Sequence, residues 1–134
     1  MNANVFALAG RILLAVLFLL SGVSKIFSPE QTIGYIANAG LPFPALAYAV
    51  AVAAEVGGGA LLAVGYQTRF AAIALALFTF AAAFGFHTAF GDQNQFIHFV
   101  KNVAIAGGLL QVAAFGAGTL SLDARKASTP GLAA

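Results

Sequence analysis

The sequence predicts an all-α fold: four antiparallel transmembrane helices in one bundle, with a short interfacial helix between spans one and two. Three observations carry this. The 134 residues are 61% hydrophobic and 7% charged, with a mean hydropathy of +0.95, whereas an ordinary soluble domain is roughly 25% charged. The apolar residues gather into four segments, each near the roughly 20 residues a helix needs to cross a bilayer. The ionisable residues inside those segments recur at helical spacings of three, four and seven, as one inward stripe per helix.

Span one runs from Val5 to Phe27 and carries charge only at Arg11 and Lys25. Their separation rises about 21 Å as a helix, so the two side chains can snorkel toward opposite faces of a hydrocarbon layer about 30 Å thick. Cleavage as a signal peptide is not expected, because apolar helices follow and Lys25 sits where the cleavage region would be. Ser28-Pro29-Glu30 then reads as the N-cap, first position and first-turn acid of a short helix that stops near Asn38-Ala39-Gly40. Its Ile33, Tyr35 and Ile36, with Leu41, suit a water interface, which places it on the outer membrane surface over the mouth of the bundle.

Pro42 and Pro44 lead into span two, Phe43 to Gly65, which is apolar except for Glu55 and contains Gly57-Gly58-Gly59. Small residues of this kind permit close helix contact in lipid. The tight turn Gly65 to Arg69 makes spans two and three antiparallel neighbours. Span three, Phe70 to Phe90, has no formal charge; after a turn at Gly91 to Gln95, span four runs from about Phe96 to Gly118, with Gly107-Gly108 at mid-depth. Leu120 onward reads as a polar tail holding Asp123, Arg125 and Lys126. Residues 1–127 are expected to form a single transmembrane domain, and 128–134 a disordered tail.

Four spans put both termini on one side, which also collects Arg11, Arg69, Arg125 and Lys126. The excess of basic residues makes that side cytoplasmic. The opposite side then carries Phe84 to Asn102, where His87, Asp92, Gln93, Asn94, Gln95, His98, Lys101 and Asn102 crowd into an otherwise apolar chain.

Glu55 lies about 18 Å along span two, near the middle of the bilayer, where a lipid-facing carboxylate costs several kcal/mol. It must turn inward, be paired or be protonated. Tyr48, Ala51, Val52, Gly58, Gly59 and Leu62 share its face. Span one offers Arg11, Ala15, Phe18, Gly22 and Lys25; span three offers Arg69, Ile73, Ala76, Phe80, Ala83 and His87. Span four offers His98, Lys101, Asn102, Ile105, Gly108 and Val112. Facing inward together, these stripes bring Lys25, His87, His98 and Lys101 into the outer half, with Glu55 beneath them in reach of Lys25 or Lys101.

Each of these residues has a structural use beside a functional one. Arg11 and Arg69 read as topology anchors, and Lys25 reads equally as an anchor or a ligand. A Glu55 ion pair fixes helix register, Asn102 and Gln111 hydrogen-bond between helices, and His98 is solvated at the interface. Three functions compete. One is a pocket for a quinone or similar molecule, with His and Lys donors beside Phe84, Phe86, Phe90, Phe96 and Phe99. Another is bis-histidine haem on His87 and His98, which ranks behind it for want of any further pattern. The third is a non-catalytic subunit or scaffold that binds a partner protein on its outer surface around Pro29 to Asn38. The chain has no cysteine, so it holds no disulfide, thiolate metal site or thiol relay of its own. Its basic residues are scattered, which argues against nucleic acid. No metal-ligand spacing, nucleotide loop or nucleophile motif is present, so no catalytic residue is assigned.

Arg11-Ile12-Leu13-Leu14, Ser21-Gly22-Val23-Ser24-Lys25-Ile26, Gly40-Leu41-Pro42, Glu55-Val56-Gly57-Gly58, Thr68-Arg69, His87 and Lys101-Asn102 together resemble the DoxX family of small four-helix bacterial membrane proteins, from about residue 8 to 120. The resemblance implies an inner-membrane location and an association with oxidoreductase systems, since members are linked to quinone reduction and to oxidative-stress complexes. It points to a ligand site of Lys25, Glu55, His87, His98, Lys101 and Asn102, with quinone as the candidate cofactor and an oxidoreductase as the candidate partner. Any thiol chemistry would belong to that partner.

Overall fold

A computed structural model describes residues 2–128. The regular elements among them are all helical, and the tail expected at 128–134 lies outside them from residue 129 on. Helix α1 spans Ala3–Phe27, α2 Pro29–Asn38, α3 Pro44–Val64, α4 Thr68–Phe86, α5 Gln93–Phe115 and α6 Leu122–Ala127. Helices α1, α3, α4 and α5 are each long and apolar enough to cross a membrane. The predicted four-span fold is therefore present, and the helix expected after Ser28 is there as α2.

Local chemistry sets the ends. The Asn2 side chain accepts the Asn4 amide at 3.1 Å and starts α1. Helix α2 begins with a proline whose missing N–H is no loss in a first turn. Span three stops at Phe86, not Phe90, because the chain leaves the helix at His87 and turns through Thr88 to Asp92. Span four correspondingly starts at Gln93, not Phe96. The Asp92 carboxylate caps it, accepting the Asn94 amide at 2.8 Å and the Gln95 amide at 3.4 Å. It ends at Phe115 because Gly116 and Gly118 turn to φ 82° and 80°. The polar tail proves to contain α6, capped where the Ser121 hydroxyl accepts the Ala124 amide at 3.1 Å.

Helices α4 and α5 form the tightest pair, and α1 packs along α3. The core centres on Ala15, Phe18, Leu62, Leu75, Ala106 and Leu109. The predicted stripe on α1 is buried from Arg11 to Gly22, and Ala51, Glu55, Gly59 and Leu62 do the same on α3. Two stripes are rotated from expectation. On α4 Ala76 and Ala83 are buried as expected, but the buried face also takes in Thr68, Ala72, Leu75 and Thr79, leaving Arg69 and Ile73 exposed. On α5 it runs through Ala106 and Leu109, which leaves Lys101 exposed. Among alanines and phenylalanines, periodicity alone did not fix which face packs.

Helix α3 is not uniform. Its segment Ala53–Gly58 is π-helical, a geometry that appears mostly as single turns and frequently at functional sites. The half before it, Pro44–Val52, packs on α1 and α2, whereas the π segment and the half after it pack on α4. Such bulges are one of the places where helices change direction.

At the terminal end the basic residues do more than mark topology. The Arg11 guanidinium is 1% exposed and donates to the carbonyls of Leu62 and Ala63 at 2.8 Å and of Leu120 at 2.6 Å. It thereby satisfies the last turn of α3. Gly65 makes room for it: at φ 70°, a Cβ there would lie 2.6 Å from the Arg11 guanidinium and 2.5 Å from Ser121. Arg69 repeats the device one hairpin later, donating to the carbonyls of Ala113 at 3.1 Å and Ala114 at 2.7 Å.

Candidate functional site

Spans one and two touch most closely at Gly22, where a Cβ would lie 2.7 Å from Val56 and 3.0 Å from the Glu55 Cβ. That contact brings the Glu55 carboxylate to Ser21 and Lys25, one turn apart on α1. The Lys25 Nζ lies 2.9 Å from Oε2 and 3.1 Å from Oε1 of Glu55, and it donates to the Ser21 hydroxyl at 2.7 Å. Ser21 in turn donates to Glu55 Oε1 at 3.0 Å. Oε2 is held by charge alone, since no donor among the described residues meets it with hydrogen-bond geometry. The Tyr48 hydroxyl donates to the Lys25 carbonyl at 3.0 Å. The predicted pair therefore forms with Lys25, and Lys101 takes no part in it. The two acid oxygens are nearly closed off while the lysine side chain stays 27% exposed.

That exposure looks into a cavity of about 500 Å³ between the spans. It is lined by Ser21, Lys25 and Glu55 of α1 and α3, and by Lys101 and Asn102 of α5 with His87 just past the end of α4. Phe18, Phe78 and Phe86 line it too, and Thr32, Tyr35 and Ile36 of α2 partly cover the end away from the termini. Five of the six predicted residues thus border one space. The sixth, His98, stands behind the wall. Its ring stacks on that of His87, with centroids 5.0 Å apart and planes at 27°, and its Nδ1 accepts from the Lys101 ammonium at 3.2 Å.

His87 is fixed by Gln95, whose Oε1 sits 3.0 Å from the imidazole Nδ1. An amide oxygen there requires the proton on Nδ1, and this tautomer follows from the hydrogen-bond partner. The face-to-face rings do not suit haem. Axial ligation needs two imidazole nitrogens opposed across an iron, and stacked rings present their faces instead. Among the described residues no group of three or more His, Asp or Glu gathers as a metal site.

The sequence reading did not assign Ser21 or Gln95 to the site. Ser21 was legible, since it precedes Lys25 by one helical turn on the same face. Gln95 was hidden by placing the start of span four three residues too late, which put it in a turn.

A bundle of four apolar spans, with an internal ion pair beside a cavity, defines a small integral membrane protein. The comparisons agree on the class. The DoxX family model matches residues 6–88, a stretch that holds Lys25, Glu55 and His87. The chain is 36% identical over 126 residues to the inner membrane protein YphA of Escherichia coli K12, covering 90% of each. It is also 36% identical over 120 residues to the inner membrane protein YqjF of the same organism, covering 90% of this chain and 91% of that one. This chain belongs to the DoxX family and is a multi-pass integral membrane protein. No solved structure matches it.

Proposed function

We propose that this protein is a membrane component of a quinone-linked oxidoreductase system, and that its cavity binds a small redox-active or lipid-like molecule of the quinone class. The observation that carries this is the cavity of about 500 Å³ lined by polar groups from several helices together with Phe18, Phe78 and Phe86. A ring bearing an oxygen at each end needs a donor at each end and apolar faces beside it. Lys25 and Ser21 supply donors from α1, and His87 and Asn102 supply polar groups from the end of α4 and from α5. With no cysteine in the chain, electrons would pass to or from a partner protein. Two relatives are named inner membrane proteins, and we extend that location to this chain, with both termini cytoplasmic and the α2 end outward.

The test is retention. Protein purified with its native lipids should yield quinone on extraction and mass spectrometry. Lys25→Met combined with Glu55→Leu, so that no buried acid is left unpaired, and His87→Ala alone should lose that quinone while reaching the membrane in normal amount. Equal retention by the parent and both variants would overturn the reading.

A further inference from the structure

Resting on that reading of the cavity, we propose that its ligand enters sideways from the bilayer, through a portal between α3 and α4. The ligand is then a lipid-dissolved amphiphile, with its polar head inside and a long apolar tail trailing out between the helices.

Helix α2 partly covers the end of the cavity away from the termini, with Tyr35 lining it while 53% exposed. Ile36 is buried against the space, and the Tyr35 ring stacks on Phe86 at 5.2 Å and 14°, joining α2 to the last residue of α4. The side is different. Val50 of α3 and Ala81 of α4 both border the cavity and are both exposed on the outside of the bundle, Val50 by 55%. Leu17, Tyr35 and Lys101 also line the cavity and are exposed, so the cavity opens at several points; the opening between α3 and α4 is the one whose exposed lining comes from two spans and is wholly apolar.

This opening has a cause in the chain. The first half of α3 packs on α2 and α1, and the packing of α3 on α4 is made mainly by the π segment and the half after it. The two helices therefore part at the level of the cavity. The rim residues Ala47, Val50, Ala81 and Ala82 carry no polar side chain. An apolar rim costs nothing against acyl chains, whereas a path for water would need polar partners along it. Lys25, Ser21, Glu55, His87 and Asn102 line the cavity away from this rim, and the exposed Lys101 lies on α5, not on α3 or α4. This polarity selects a molecule with one polar head and one apolar tail.

The chain's lack of cysteine allows a direct test. Thr79 lines the cavity and is 4% exposed, so Thr79→Cys places one thiol inside. In reconstituted vesicles an alkyl maleimide dissolved in the lipid should label it, and a charged, membrane-impermeant maleimide on either side should not. Labelling by the charged reagent would overturn the portal, and this comparison needs no further substitution. Adding Val50→Trp and Ala81→Trp, or the milder Ala81→Phe alone, should lose the lipid-borne labelling; a rate equal to that of Thr79→Cys alone would also overturn it. A decyl-tailed 1,4-benzoquinone and the same ring without a tail then test the occupant. The tailed probe should bind the parent and lose binding in the Trp variant, while the tail-less ring binds both alike. If the thiol results hold but the tailed probe does not bind the parent, the quinone reading fails and the portal stands.

Discussion

The two ends of this bundle solve the same problem in opposite ways. Each buries an ionic group among apolar helices, where leaving it unpaired costs several kcal/mol. At the terminal end Arg11 spends its guanidinium on three backbone carbonyls, and Asp123 spends its carboxylate on the amides of Gln67 at 2.8 Å and Thr68 at 3.0 Å. Those groups close helix ends and bring α6 onto them. At the other end Lys25 and Glu55 answer mainly to each other and to Ser21, and their lysine faces open space. A charge consumed by the backbone is a fastener. A charge paired beside a cavity remains available to a ligand.

The largest effect that would sharpen this contrast is expected at Arg11. Arg11→Leu leaves the carbonyls of Leu62, Ala63 and Leu120 without a donor in a buried site and removes the countercharge of Asp123. The loss should be about 3 to 5 kcal/mol, the range for breaking a buried charged interaction by removing one partner. Thermal unfolding in detergent would read it as a large drop in melting temperature, or as failure to accumulate in the membrane. A stable Arg11→Leu protein would mean that water reaches those carbonyls and that the terminal end is no fastener.

A smaller effect is expected at the cavity end. Glu55→Gln removes the countercharge but leaves an amide that can still accept from Ser21, and the Lys25 ammonium is free to turn toward the cavity. The cost should be about 1 to 3 kcal/mol. The double change Lys25→Met with Glu55→Leu should recover most of it, because replacing a buried pair whole is often neutral where breaking it is not. Yet the double variant should retain no quinone. Recovery of stability together with undiminished retention would make Lys25–Glu55 a fastener as well, and the contrast between the ends would fail.

Much of this was legible in the residues. Composition and four apolar segments predicted the fold, and the depth of Glu55 demanded a partner of opposite charge, which Lys25 supplies. What the sequence withheld was rotation and the behaviour of single groups. Lys101 reads as able as Lys25 to reach Glu55, but the packing of Ala106 and Leu109 leaves it exposed at the border of the cavity, with its ammonium on His98. Arg11 read as a snorkelling anchor because nothing in its spacing reveals that the carbonyls of a neighbouring helix end beside it. The π-helical turn was invisible for a related reason. Gly57-Gly58-Gly59 marks a weak stretch of helix, but whether such a stretch stays α-helical, bends or bulges depends on what packs against it.

The smallest effect concerns Asp123, which tests whether the terminal fastener depends on charge. Burial alone would raise its pKa. The Thr68 side chain, the Thr68 and Gln67 amides and the Arg11 charge outweigh that, and the carboxyl lies below its ordinary value of 3.8. The Thr68 hydroxyl acts here through its dipole, since it finds no partner of hydrogen-bond geometry among the described residues. A depressed folded pKa means that the unfolded chain takes up the proton first. The stabilisation is therefore complete above about pH 4 to 5 and is lost as the pH falls through the folded value. Asp123→Asn should cost about 1 kcal/mol at pH 7, the typical worth of a capping carboxylate at a helix start. The gap in melting temperature between parent and variant should then narrow steadily as the pH is lowered from 5 toward 2.5. A gap that stays constant over that range would show that Asp123 holds α6 to α4 by shape rather than by charge. The terminal end would then owe its closure to Arg11 alone.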